Sequence, residues 1–256
     1  MWPFLLLVFF SILLTDAAHA EPIKVRTPEG GARGFLALSA TNGETLAHGG
    51  LVQTLRRGLV DSRLTFHFKD GSLYDETVVF SQKDVFTLVS YRLLQQGPSF
   101  PGVADVSFER ASGRYKARLK EKDKEEQTLE GRLDLPPDLY NGMASILLKN
   151  LSPEQSVRGH MLAFTPKPRL LKMELKPEGA DKFLIGASSH PATRYLVDLE
   201  IGGMMGVLAS VVGKEPPDLR YWITPGPQRA FVKFEGPFYL NGPVWRIELT
   251  APRWPK

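Results

Sequence analysis

The sequence predicts a mainly β protein: a strongly curved antiparallel sheet, either a half-barrel or a barrel, that encloses one or two helices and follows a cleaved signal peptide. Three observations predict it. Charged residues alternate with apolar ones in several stretches, tight-turn dipeptides separate apolar runs, and an uncharged apolar segment lies near the first residue. About a dozen short strands are expected, and an open sheet of that width usually curls or closes.

The N-terminal segment is apolar from Phe4 to Leu14 and continues to Ala18-His19-Ala20. This run is shorter than the roughly 20 residues that span a bilayer, and it ends in the small-x-small pattern of a signal peptidase site. We expect a signal peptide at residues 1–20 and a periplasmic or secreted location; an uncleaved anchor is the alternative. Residues 21–256 then form one β-rich domain, long enough for a continuous core.

The amino-acid composition excludes cysteine chemistry and gives the chain a small positive charge. The chain has no cysteine, which excludes disulfides, thiol catalysis and a cysteine-linked lipid anchor. A cysteine-free exported chain also favours a bacterial periplasm. The formal charge is +4, with the basic residues scattered along the chain. Such an excess suits contact with an anionic membrane surface or is simply a solvated surface.

Alternation of apolar and charged residues predicts strands with one solvent-exposed face at 114–120, 171–176, 194–201 and 245–250. Asn42-Gly43, Asp70-Gly71 and Asn241-Gly242 lie between apolar runs and favour tight hairpin turns. The last of these is expected to join a strand at 238–240 to the final strand. The same alternation places His67 on an exposed face, and the charged stretch 120–126 is expected to be an exposed turn.

Two segments break the alternation. In 136–151, apolar residues recur at helical spacing, which predicts a helix packed inside the curve of the sheet, with Met143 and Leu147 facing a ligand. The segment 202–213 is apolar all round and bounded by glycines, so it is either buried core or a lid over an acyl-chain cavity. Its candidate ligand-binding residues are Met204, Met205, Val207, Leu208, Val211 and Val212.

No catalytic or metal signature accompanies these segments. The histidines other than His19 are far apart in sequence and lack metal-ligand spacing. Ser188-Ser189-His190 lacks the Gly-x-Ser-x-Gly turn of common serine hydrolases. Asp75 and Glu76 are among many carboxylates that could form a glycosidase-type pair, and spacing does not select among them. We expect no metal, no cofactor and no nucleic-acid partner.

The order of elements resembles a known group of proteins. Leu135-Pro136-Pro137-Asp138-Leu139-Tyr140 opens the central helix, and a late segment, 217–224, is followed by 229–233. This order is similar to that of uncharacterised exported bacterial β-rich proteins, which resemble the half-barrel of the periplasmic lipoprotein carriers. The resemblance implies a bent antiparallel sheet around helices, an apolar concave face able to hold lipid tails, and no enzyme activity. The docking motif of the carrier system is not recognisable here.

Three functions are therefore considered. The leading hypothesis is a non-enzymatic exported protein that binds a lipid or another amphiphile on the concave face of the sheet, gated by 202–213. The second is a cell-envelope structural or interaction protein with a filled core, which contacts a membrane surface or an envelope protein. The third is a hydrolase whose site is assembled from residues distant in sequence.

Overall fold

The computed structural model describes residues 22–164, 167–185, 187–200 and 218–250. Within these residues the chain forms fourteen β-strands and one short α-helix, α1 (Ala144–Leu148). The strands are β1 (Ala32–Ala40), β2 (Thr45–Arg56), β3 (Leu59–Phe68), β4 (Leu73–Gln82), β5 (Phe86–Gln96), β6 (Gly102–Glu109), β7 (Arg114–Glu121), β8 (Gln127–Arg132), β9 (Val157–Phe164), β10 (Pro168–Ile185), β11 (Ser188–Glu200), β12 (Leu219–Ile223), β13 (Phe231–Gly236) and β14 (Trp245–Leu249). The mainly β class is confirmed.

All fourteen strands belong to one antiparallel sheet in the order β8-β7-β6-β5-β4-β3-β2-β1-β14-β13-β12-β11-β10-β9. Each neighbouring pair is consecutive in the chain except β1 with β14, which pair along Leu36–Ala40 and Trp245–Leu249. The first and last strands therefore meet in the middle of the sheet. Strands β8 and β9 are its two edges, and the connection between them carries α1.

The sheet is neither closed nor strongly curled. The prediction of a barrel is wrong, because β8 and β9 do not pair with each other, and the strong curvature expected for a half-barrel is not found. Strand number alone suggested closure. The connection between β8 and β9 packs on one face of the sheet and covers part of the edge that β9 forms.

The alternating stretches form strands as expected, in β7, β10, β11 and β14. His67 is exposed on β3, and the loop from β7 to β8 is exposed throughout. The turns at Asn42-Gly43 and Asp70-Gly71 join consecutive strands, with Gly71 at φ +84°. The third turn lies at residues 240–241, but residues 238–239 form a bend and not the expected strand.

We call residues 135–151 the internal segment. Its helix is much shorter than the predicted 136–151, because the backbones of Asp138 and Tyr140 bond to His160 of β9, and Gly142 has a φ of +67°. After α1, the side chain of Asn150 accepts hydrogen bonds from the backbone N–H groups of Arg26 and Thr27. It also donates to the carbonyl of Ile146. These bonds end the helix and connect it to the residues that precede β1.

The internal segment also covers the free edge of β9. The backbone of His160 bonds to Asp138 and Tyr140 at 2.8 Å each. The Asn141 side chain then continues the ladder by accepting from the N–H of Leu162 and donating to its carbonyl, both at 2.8 Å. Unpaired strand edges invite pairing with other chains, and this contact removes part of that edge. It also fixes the internal segment against the sheet.

Most buried apolar side chains lie on the inner face of the sheet, the face that carries the internal segment. One cluster surrounds that segment, in which Leu139, Met143, Leu147 and Leu148 have no exposed surface. A second cluster, which we call the aromatic cluster, packs around the β13–β14 connection. It consists of Phe66, Phe68, Tyr74, Phe100, Phe234, Phe238, Tyr239 and Trp245.

The expected signal peptide and the segment 202–213 lie outside the described residues. The candidate residues Met204, Met205, Val207, Leu208, Val211 and Val212 lie outside them too. In the part of the chain that the structure describes, no helix has the length and apolar character needed to cross a bilayer.

Candidate functional site: an apolar cavity on the inner face

A cavity of about 770 Å³ lies on the inner face of the sheet, between the internal segment and the aromatic cluster. Its walls come from both halves of the sheet: from β1 to β7 on one side and from β9 to β14 on the other. The internal segment closes one end with residues 140–142, 144–146 and 149. Small-molecule sites in proteins commonly have volumes of about 300–1,000 Å³, so this space is large enough for a ligand.

Strand alternation makes the cavity wall apolar. On each strand the residues of one parity point to the inner face, and here those positions carry mainly aliphatic and aromatic side chains. Examples are Leu93 on β5, Leu171 on β10 and Leu219 on β12. Met161 and Met173 add flexible, polarizable surface, which can adapt to ligands of irregular shape.

Glu76 is one of five charged residues that border this mainly apolar cavity. It lies on β4 between Tyr74 and Val78, which point to the same face. The Tyr91 hydroxyl on the neighbouring strand donates a hydrogen bond of 2.8 Å to Oε1 of Glu76. Tyr91 itself is buried, and its ring stacks on Phe108 at 5.3 Å between centroids. The carboxyl group is therefore held in a fixed position within the cavity wall.

The internal segment comes close to this carboxyl group. A Cβ atom on Gly142 would lie 3.2 Å from Cδ and Oε1 of Glu76 and 2.5 Å from Cγ2 of Val78. Only glycine accommodates both this close approach and the positive φ angle of +67°. Gly142 thus allows the internal segment to pass directly over the carboxyl group.

The surroundings change the ionisation of this group. Burial raises the pKa of Glu76 above its ordinary value, and the hydrogen bond from Tyr91 offsets part of that rise. Burial and the nearby charge of Glu76 raise the pKa of Tyr74, Tyr91 and Tyr221. The three phenols therefore keep their protons at any physiological pH, and that of Tyr91 acts toward Glu76 as a hydrogen-bond donor.

Other charged residues that border the cavity have a different setting. Asp198 and Asp218 are exposed and form ion pairs with Lys176 at 3.0 Å and Arg220 at 2.6 Å. Lys149 pairs at 2.6 Å with the buried Glu29. Arg169 on β10 borders the cavity as well and is exposed. None of these groups forms an ion pair with Glu76.

Adjacent carboxylates on β4 are kept apart by the sheet. Asp75 points to the outer face, where Arg63 binds it through two hydrogen bonds of 2.8 and 2.6 Å. Arg63 lowers the pKa of Asp75, opposite to the change at Glu76. The two groups lie on opposite faces of the sheet and cannot act together on one substrate, so they do not form a glycosidase-type pair. Alternation along a strand separates any two consecutive side chains.

Met143 and Leu147 lie in the core and do not border the cavity; both are completely buried among other apolar side chains. Their ligand-binding role stays a prediction, as does that of the candidates in 202–213. Sequence reasoning missed Glu76 as a cavity residue. The signal was present, because Glu76 occupies the same parity as Tyr74, Val78 and Phe80.

The histidines and serines do not form a second site among the described residues. His160 Nδ1 lies 2.9 Å from Asp138 Oδ2, but this pair joins the internal segment to the edge of β9. His190 packs against the ring of Phe183 at 5.5 Å between centroids. The residues in the structure contain no cluster of three or more His, Asp or Glu side chains able to hold a metal ion.

Comparisons of the chain with protein-family models, with curated proteins and with solved structures found no match.

Proposed function

We propose that this protein is an exported, non-enzymatic binding protein that holds a lipid or another amphiphile in the cavity on the inner face of the sheet. The observation that carries the proposal is the cavity itself: about 770 Å³ of space lined mainly by apolar side chains inside an otherwise packed face. Protein interiors are normally close-packed, and empty apolar space is costly. A bound apolar ligand would recover the lost contacts.

The driving force for such binding is burial of apolar surface, about 25 cal/mol per Å². A wide sheet with one apolar face suits long or irregular ligands, because many strands each contribute a short stretch of wall. The N-terminal segment 1–20 supports export as a signal peptide. A ligand-carrying or ligand-sensing role in the cell envelope is consistent with both features.

A filled-core envelope protein is the main alternative, and the cavity argues against it. We keep it as an outcome of the following test. Leu171→Asp places a charge on the cavity wall, and Lys172→Asp places one on the opposite face of the same strand. The proposal predicts that Leu171→Asp abolishes uptake of a fluorescent fatty-acyl probe, while Lys172→Asp and the parent protein take it up equally.

Circular dichroism and urea unfolding establish that each variant is folded before uptake is compared. Equal uptake by the parent and by folded Leu171→Asp would overturn the proposal. No uptake by the parent, tested with alkyl chains of several lengths, would favour the interaction protein instead.

A further inference from the structure

We infer that Glu76, with Tyr74, Tyr91 and Tyr221, forms the polar end of the cavity and binds the cationic amine of a ligand whose alkyl or other apolar part occupies the remaining space. This inference rests on the proposed function and specifies the ligand class. The observation behind it is a carboxyl group that faces inward from β4, on a cavity wall that is mainly apolar.

The first step is the missing counter-charge. Glu76 is half-buried, and carboxylates withdrawn from water are normally paired with Arg, Lys or a metal, because removing a charge from water is expensive. Among the residues that the structure describes, no basic side chain forms an ion pair with Glu76; the Tyr91 hydroxyl, a neutral donor, bonds to it at 2.8 Å. On β3, by contrast, the exposed Arg63 pairs fully with Asp75.

The second step is the geometry of the acceptor. Tyr91 donates to Oε1, which leaves lone pairs of the carboxylate for a donor that arrives from the cavity. Tyr74 lies two residues from Glu76 on the same face of β4, and Tyr221 on β12 borders the same cavity. A carboxylate among aromatic rings favours an organic cation, since the ammonium gains both an ion pair and attraction to ring faces.

The third step is support by a second layer. Tyr91 stacks on Phe108, and Tyr221 packs on Phe234 at 4.9 Å between centroids. Both rings are thus held by partners from neighbouring strands, and Gly142 passes over the carboxyl group at close range. Binding groups with fixed positions lose little freedom when a ligand arrives, so this cluster is suited to recognition.

The test compares ligands that share one alkyl chain and differ in the head group: dodecylammonium, dodecanol and dodecanoate. Each is used below its solubility limit and below any concentration at which it forms micelles. Binding is measured by isothermal titration calorimetry on the protein without its segment 1–20 and on two variants. Glu76→Gln removes the charge inside the cavity and keeps the size of the side chain. Asp75→Asn removes the same charge one residue away, on the outer face.

We expect the parent protein and Asp75→Asn to bind dodecylammonium at least about tenfold more tightly than dodecanol, the size of one charge-assisted hydrogen bond. Glu76→Gln should lose that preference and keep its affinity for dodecanol, and Tyr91→Phe should weaken dodecylammonium binding less. Dodecanoate should bind most weakly to the parent and gain affinity in Glu76→Gln, because a repulsion is removed.

Two results would overturn the inference: equal affinities of the parent for dodecylammonium and dodecanol, or an amine preference that persists in Glu76→Gln. Either result leaves the cavity as a site for apolar ligands. Absence of binding for all three compounds would instead contradict the proposed function itself, so the two failures are distinguishable.

Discussion

The inner face of the sheet is packed beside the internal segment and open a few residues away, although the same strands run through both regions. Strand β4 shows the contrast. Phe80 packs beside the internal segment and does not border the cavity, whereas Glu76 faces the cavity and its neighbours Tyr74 and Val78 belong to both regions. Packed regions supply stability, whereas the open region lacks those contacts and provides the space for a ligand. The difference separates structural residues from candidate binding residues on one surface.

The contrast predicts different costs for the same mutation in the two regions. Leu147→Ala in the packed region creates a new cavity around a completely buried side chain, and we expect a loss of about 2–5 kcal/mol in unfolding free energy. Leu171→Ala enlarges a cavity that already exists, so its loss should be clearly smaller. Urea unfolding of both variants checks this, and equal losses would break the distinction between the regions.

Gly142 is the point where the internal segment meets the cavity. Gly142→Ala combines an unfavourable φ with a clash against Val78, and we expect a loss of roughly 2–4 kcal/mol. Gly43→Ala is the matched control, because Gly43 has a φ of +89° but open space around its Cα. It should cost about 1–2 kcal/mol from φ alone. If the two variants unfold at the same urea concentration, the close approach at Gly142 contributes nothing.

The ionisation of Glu76 offers a test that depends on pH. Its pKa is raised in the folded protein, so the folded state binds the proton more tightly than the unfolded state does. Stability should therefore fall as pH rises from the ordinary carboxyl range through the raised pKa, by about 1.4 kcal/mol for each pH unit that separates the folded and unfolded pKa values. Glu76→Gln removes this fall. Chemical unfolding of both proteins from pH 4 to 8 measures it, and parallel curves would show that Glu76 is not desolvated.

The smallest effect is expected on the outer face. Asp75→Asn weakens the pair with Arg63, whose side chain is 58% exposed. Exposed ion pairs contribute about 0–1 kcal/mol. The unfolding free energy should change by less than about 1 kcal/mol at low salt and by less still at high salt, as salt titration of the unfolding midpoint would show. A larger loss would mean that the outer face also carries structural interactions.

Sequence reasoning recovered the local structure well and the long-range structure poorly. Alternation of apolar and charged residues in stretches such as 114–120 depends only on which face of a strand is exposed to solvent, so it predicted strands correctly. The meeting of β1 with β14 and the absence of closure depend on contacts between distant residues, for which the chain gives no local signal. The helix at 136–151 was predicted too long because its first residues bond to β9, a tertiary contact that overrides helical spacing.

For the candidate site too, the general character was predictable from the sequence and the individual residues were not. An apolar interior was predictable from the strands, but the search for ligand-binding residues concentrated on the two segments that break the alternation. Met143 and Leu147 have helical spacing because they pack in the core. Glu76 was considered only as one of two adjacent carboxylates. Its position among inward-facing apolar residues would have identified it as a cavity residue. A charged residue at an inward-facing position of a strand needs a partner.

The central claim is that the cavity holds an amphiphile, and the most direct measurement is mass spectrometry of the organic extract from the protein purified without detergent from its native compartment. The account predicts one class of amphiphile in stoichiometric amount, with an amine in its polar part, and its loss from Leu171→Asp. A protein that carries no amphiphile and also takes up none of the dodecyl compounds would contradict the account.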